Sequence, residues 1–92
     1  DIYVYKNNNQ IVAFCGLRNN YIAGLFVKEE YRDKGIGHAL MKHLQSEYNE
    51  LTLKVFAQNT RAVRFYKRLD FVTIDSSIDK TNHTELLMEW KK

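Results

Sequence analysis

Arg32, Lys34, Gly35 and Gly37 fall within one short stretch, Arg32-Asp33-Lys34-Gly35-Ile36-Gly37-His38. It lies between an apolar run, Leu25-Phe26-Val27, and a helix-period pattern. A strand that hands two glycines to a helix start presents several unpaired N–H groups side by side. The helix dipole adds partial positive charge at the same place. The chemistry this suits is binding an anion, above all a phosphate. Glycine lets the backbone approach that anion without a Cβ in between, and Arg32 and Lys34 add two full charges beside it. Two familiar phosphate loops are excluded. No G-x-x-x-x-G-K-[ST] occurs, and Leu40 stands where the dinucleotide fingerprint needs its third glycine.

Asn59, Ala62, Phe65, Tyr66 and Phe71 form a second group, after another apolar stretch. Each has a structural explanation by itself. Asn59 is a natural helix N-cap. Ala62 and Phe65 fit core positions, and Tyr66, four residues after Ala62, fits a half-buried tyrosine with its hydroxyl at the surface. Their order behind a glycine-turn helix is what singles them out.

The elements that must position these groups follow from periodicity. Residues 2–5 and 11–17 read as strands around Asn7-Asn8-Asn9, whose residues tolerate left-handed backbone. The run 11–17 is almost wholly apolar, which predicts burial on both faces, with Gly16 marking a bulge or close packing. Residues 21–27 make a third strand after Arg18-Asn19-Asn20, giving an antiparallel meander. Ile36, Leu40, Leu44 and Tyr48 recur at every fourth position, with Ala39 and Met41 beside them. Lys42, Gln45, Ser46 and Glu47 fall on the wet side. Residues 51–57 alternate as a strand, 58–60 open a second helix, and 71–74 and 85–90 return as strands around a polar segment, 75–84. The order β-β-β-α-β-α-β-β predicts one mixed α/β (α+β) domain over residues 1–92, with a right-handed parallel crossover within 21–57.

Composition bounds the rest. Ninety-two residues with 45% hydrophobic content suit a small globular domain burying roughly 60–65% of its unfolded surface. A net charge of +3 is compatible with an anionic ligand. Phe and Tyr at core-like spacings argue against a nucleic-acid surface. The single Cys15 excludes an internal disulfide. With no signal-peptide pattern and no membrane-length apolar run, it points to the reducing cytoplasm and away from a membrane. His38, His43 and His83 lack partners at ligand spacing, so no metal is expected. The final strand, with Trp90, is a candidate edge for pairing with a second copy as a homodimer. The strand-like start without Met suggests a fragment or a processed chain.

On these residues the chain resembles the GCN5-related N-acetyltransferases (GNAT). Their Arg/Gln-x-x-Gly-x-Gly/Ala signature is matched by Arg32-Asp33-Lys34-Gly35-Ile36-Gly37, with Leu25-Phe26-Val27 and Ala39-Leu40 fitting on either side. Their later Asn-x-x-Ala-x-x-Phe-Tyr-x-Lys-x-Gly-Phe pattern is matched by Asn59, Ala62, Phe65, Tyr66 and Phe71, with Arg68 in the Lys place. The resemblance is close over about residues 21–74. Asp33 and Asp70 replace glycines, Asp70 at a place that wants a left-handed residue. The chain starts at what looks like the family's second strand.

The resemblance implies an acetyltransferase. It would move the acetyl group of acetyl-CoA, as co-substrate, to a primary amine of a small molecule or peptide, by direct attack in a ternary complex. The diphosphate would lie on backbone N–H groups around Arg32, Asp33, Lys34, Gly35, Ile36, Gly37 and His38. The pantetheine arm would run along Leu25, Phe26 and Val27, flanked by Asn59, Ala62 and Phe65. An N–H near Phe26 or Val27 would face the thioester oxygen, and Tyr66 would be the general acid toward the departing sulfur. Residues 21–24 carry no carboxylate, which leaves the general base open among Tyr21, His83, Glu85, a water chain or a preceding segment. The alternative is a catalytically weak acetyl-CoA-binding module of the same fold.

Overall fold

Asparagine turns close the first two hairpins. The computed structural model describes residues 1–92. In it, Asn8 and Asn9 adopt left-handed backbone (φ 52° and 66°) between β1 (Ile2–Asn7) and β2 (Gln10–Arg18). Asn19 (φ 56°) helps turn the chain into β3 (Tyr21–Val27). Asparagine takes this geometry more readily than most residues, so these turns are locally encoded. A single 3-10 turn, Glu29–Tyr31, leads into α1 (Ile36–Glu47). Then come β4 (Glu50–Phe56), α2 (Thr60–Arg68), β5 (Val72–Ile78) and β6 (Thr84–Lys91). The predicted order holds, and the last hairpin is longer than its polar sequence suggested.

The six strands form one sheet in the order β1-β2-β3-β4-β6-β5. β3 and β4 are its one parallel pair of neighbours. The crossovers from β3 to β4 and from β4 to β5 run the same way across the sheet, so right-handed connections put both helices on one face. The core lies there, with Leu40, Met41 and Leu44 of α1 and Val63 of α2 against Cys15, Leu53 and Met88 of the strands.

Three expectations need correction. The run 11–17 is not buried on both faces, because Ile11 and Phe14 are exposed while Val12, Ala13, Cys15 and Leu17 are buried. Tyr5 faces Ala13 and Lys6 faces Ile11, which makes Val12 the extra residue of a bulge and lets it turn inward beside Ala13. On the other face Val4, Phe14 and Phe26 line up across three strands, with the two phenylalanine rings 5.4 Å apart. Gly16 does sit at a bulge: its partner is Gly24 while Leu17 pairs with Ile22.

On α1 the stripe of Ile36, Leu40 and Leu44 with Met41 is buried as expected, but Ala39 beside it is exposed and Gln45 is buried, the opposite of what was expected for these two. Gln45 Nε2 donates to the Leu69 carbonyl at 2.8 Å, tying α1 to the end of α2. Leaving that carbonyl unmet in the core would cost about 1–3 kcal/mol, which explains a polar residue inside. Finally, β6 lies between β4 and β5 and Trp90 is buried, so the expected exposed edge does not exist. The sheet edges are β1 and β5.

Candidate active site

The site begins where β3 and β4 part. They share only the pairs Tyr21↔Thr52 and Ile22↔Leu53. On its other side β3 stays paired to β2, and Lys28 N–H donates to the Val12 carbonyl at 2.8 Å. Antiparallel bonding alternates, so Phe26 bonds to β2 while Leu25 and Val27 turn their N–H and C=O groups into the gap. Arg32 Nε occupies the Val27 carbonyl at 3.3 Å. The two amide donors facing the gap are therefore those of Leu25 and Val27, and Phe26 is not one of them.

The turn at the top of β3 supplies more donors. Gly35 is the N-cap of α1 with φ 78°, and Asp33 is left-handed at φ 61°. The first helical bond of α1 runs from Ala39 N–H to the Gly35 carbonyl at 2.9 Å, and none of the six N–H groups from Asp33 to His38 meets a protein acceptor. No acidic side chain in the first turn neutralises the positive end of the dipole. Opposite, Asn59 caps α2 by accepting from Ala62 N–H at 3.2 Å. The far end of α2 closes with Asp70 at φ 69°, Asp70 N–H on the Lys67 carbonyl and Phe71 N–H on the Tyr66 carbonyl, a Schellman closure.

These parts enclose a cleft of about 630 Å³. It brings together Leu25, Phe26, Val27, Arg32, Asp33, Gly35, Ile36, Gly37, His38, Asn59, Ala62, Phe65 and Tyr66. Lys34 does not line it, and Tyr31, Arg61 and Arg68 do. The arginines left a trace in the sequence, since Arg61, Arg64 and Arg68 share one face of α2 by their spacing. Arg61 forms an ion pair with Asp33, linking α2 to the glycine turn.

Tyr66 packs edge-to-face between Phe65 and Phe71, with ring centroids 5.1 and 5.6 Å away. Burial pushes its phenol up to about 12, with the nearby Cys15 adding to the rise. Burial also pushes the Cys15 thiol up to about 11. Both groups keep protons in the folded chain that the unfolded chain releases. Their contribution to stability is therefore complete below about pH 9 and is lost as pH rises toward about 12. Urea denaturation should show the midpoint falling over that range, and Cys15→Ala should flatten the part below about pH 11.

None of Tyr21, His83 and Glu85 lines the cleft. His83 Nδ1 lies 2.6 Å from Thr81 Oγ1 in the β5–β6 loop. Glu85 borders a separate cavity of about 150 Å³ with Lys54 and Asp75. No three His, Cys, Asp or Glu side chains converge as a metal site, and no helix is long and apolar enough to cross a membrane.

Comparison with known proteins places this arrangement. The peptidyl-lysine N-acetyltransferase YiaC of Escherichia coli is 28% identical over 90 residues, 96% of this chain and 62% of that one. The peptidyl-lysine N-acetyltransferase YjaB of the same organism is 39% identical over 75 residues, 80% of this chain and 51% of that one. The chain thus spans between about half and 62% of the length of these curated relatives. The solution structure of apo YjaB superposes with a TM-score of 0.84 at 31% identity, covering 97% of this chain and 63% of that one. The ribosomal-protein-S18-alanine N-acetyltransferase of E. coli shares the fold, with a TM-score of 0.83 at 21% identity over 98% of this chain and 67% of that one. The family description "Acetyltransferase (GNAT) domain" matches residues 1–92. With the glycine turn, the parted strands and the capped second helix all in that family's order, the chain belongs to the GNAT acetyltransferases.

Proposed function

We propose that this chain is the catalytic part of an N-acetyltransferase that uses acetyl-CoA to acetylate a primary amine. The observation that carries the reading is the set of free backbone donors in two groups along one cleft. Leu25 and Val27 offer amides into the gap, and six more follow from Asp33 to His38. The first two suit the amide-bearing pantetheine arm as an added strand; the others suit a diphosphate. The names of YiaC and YjaB support a lysine amine in a peptide as the acceptor, with a small-molecule amine as the wider class.

The chain's own groups divide the work. Leu25 N–H is the deeper of the two amides and faces the thioester oxygen as it gains charge. The acceptor nitrogen forms its bond to the acetyl carbon, the carbon–sulfur bond breaks, and Tyr66 gives its proton to the departing thiolate. A phenol at about 12 is a weak donor to a thiolate of ordinary pKa, about 8.5. The same dry surroundings raise the thiol as well, as they raise Cys15, and this narrows the gap. The ammonium of the acceptor must lose a proton first, and the cleft lining offers no unpaired carboxylate to take it. Asp33 is the sole carboxylate in the cleft, and Arg61 holds it.

That last observation also favours the second reading, an acetyl-CoA-binding module with weak turnover. Incubation of the chain with acetyl-CoA and a lysine peptide, read by mass spectrometry, separates the two. Time-dependent acetylation of the peptide above the rate with heat-denatured chain is expected. A background rate from a folded chain that binds acetyl-CoA would leave the binding module standing.

A further inference from the structure

Asp33 and Arg61 pose a question that the donor run leaves open. A negative side chain stands beside six free N–H groups in a cleft suited to phosphate, where alone it would repel the ligand. Arg61, from the first turn of α2, neutralises it, and in doing so keeps a guanidinium at the border of the phosphate site. Both side chains are well exposed, 76% for Asp33 and 69% for Arg61, and no other side chain holds either of them. An ion pair this exposed is weak and easily opened, whereas a phosphate offers a guanidinium more charge and two-point hydrogen bonding.

We propose that Asp33 and Arg61 form an exchange latch. In the ligand-free cleft Arg61 pairs with Asp33 and clips the glycine turn to α2. On binding, Arg61 passes to a phosphate oxygen of the ligand, and Asp33 turns to solvent. The inference rests on the acetyl-CoA reading above, and it assigns Asp33 as a brake on affinity and Arg61 as a ligand contact.

Calorimetric titration of the wild type, Asp33→Asn, Arg61→Gln and the double variant with CoA and with dephospho-CoA tests it. Asparagine accepts the left-handed backbone at residue 33, so that variant removes charge without adding strain. Asp33→Asn should bind CoA about 2- to 5-fold tighter, the size of a lost exposed ion pair. Arg61→Gln should bind about 5- to 10-fold weaker, the loss of a charge-assisted contact at an exposed site. The gain from Asp33→Asn should shrink in the Arg61→Gln background, where no competition remains. A penalty for Arg61→Gln that persists with dephospho-CoA assigns the contact to the diphosphate, and one that vanishes assigns it to the ribose phosphate. If both single variants weaken binding, or neither changes it, the pair is a fixed strap and the latch is wrong while the cofactor site stands. A folded wild type that binds neither ligand overturns both.

Discussion

Tyr66→Phe should lower kcat for acetyl transfer by about 10²-fold or more, with acetyl-CoA affinity nearly unchanged, because a positioned acid contributes on that scale. The substitution removes one oxygen and leaves the ring that packs against Phe65 and Phe71. No protein acceptor holds that hydroxyl, so the fold loses no hydrogen bond with it. The defect should ease with an acyl donor whose thiol is more acidic, since a better leaving group needs its proton less. Rates and donor dependence equal to wild type would remove Tyr66 from the mechanism. Equal rates close to the uncatalysed background would favour the binding module.

Gly37→Asp should weaken acetyl-CoA binding by about 10²-fold without unfolding the chain. A Cβ at residue 37 would meet Phe65 Cζ and Val27 Cγ2 at 3.5 Å each, ordinary contact distances, so the backbone has no reason to move. The new carboxylate then turns toward the cleft and the diphosphate. Two like charges about 5 Å apart at an effective dielectric of about 20 repel by about 3 kcal/mol, which is the stated factor. In the ligand-free chain the same charge lies at the positive end of the α1 dipole and should leave thermal stability equal or slightly higher. Thermal shift with and without acetyl-CoA reads both effects. Gly35→Ala is the contrasting variant. Space is open there, but φ is 78°, so it should cost stability of about 1 kcal/mol and much less affinity. A Gly37→Asp chain with an undiminished acetyl-CoA shift would take the diphosphate off this turn.

What the sequence disclosed is what local chemistry controls. Asparagines at 8, 9 and 19 set the turns, glycines at 35 and 37 set the helix start, and Asn59 caps α2 through a bond three residues long. Distant pairing was not legible. Gln45 looked wet because its partner, the Leu69 carbonyl, is 24 residues away. Trp90 looked like an edge residue because nothing local says that β6 inserts between β4 and β5. Phe14 sits in an apolar run, yet its face of the sheet carries neither helix, while a bulge turns Val12 inward. In the cleft, residue types could be read but side-chain and amide directions could not. Hence Lys34 offers its N–H to the donor run while its side chain stays out of the cleft, Arg61 and Arg68 line the cleft although the sequence named neither as a ligand contact, and the gap-facing amides belong to Leu25 and Val27. Direction comes from register and turn geometry, which a residue list does not carry.

The most direct test of the account is calorimetric titration of this 92-residue chain with acetyl-CoA, with circular dichroism on the same sample to show that it is folded. Saturable binding at one site, competed by CoA and lost with Gly37→Asp, is the expected result. A folded chain that gives no heat of binding and no competition would contradict it, because eight free backbone donors along β3 and the glycine turn would then serve no nucleotide thioester.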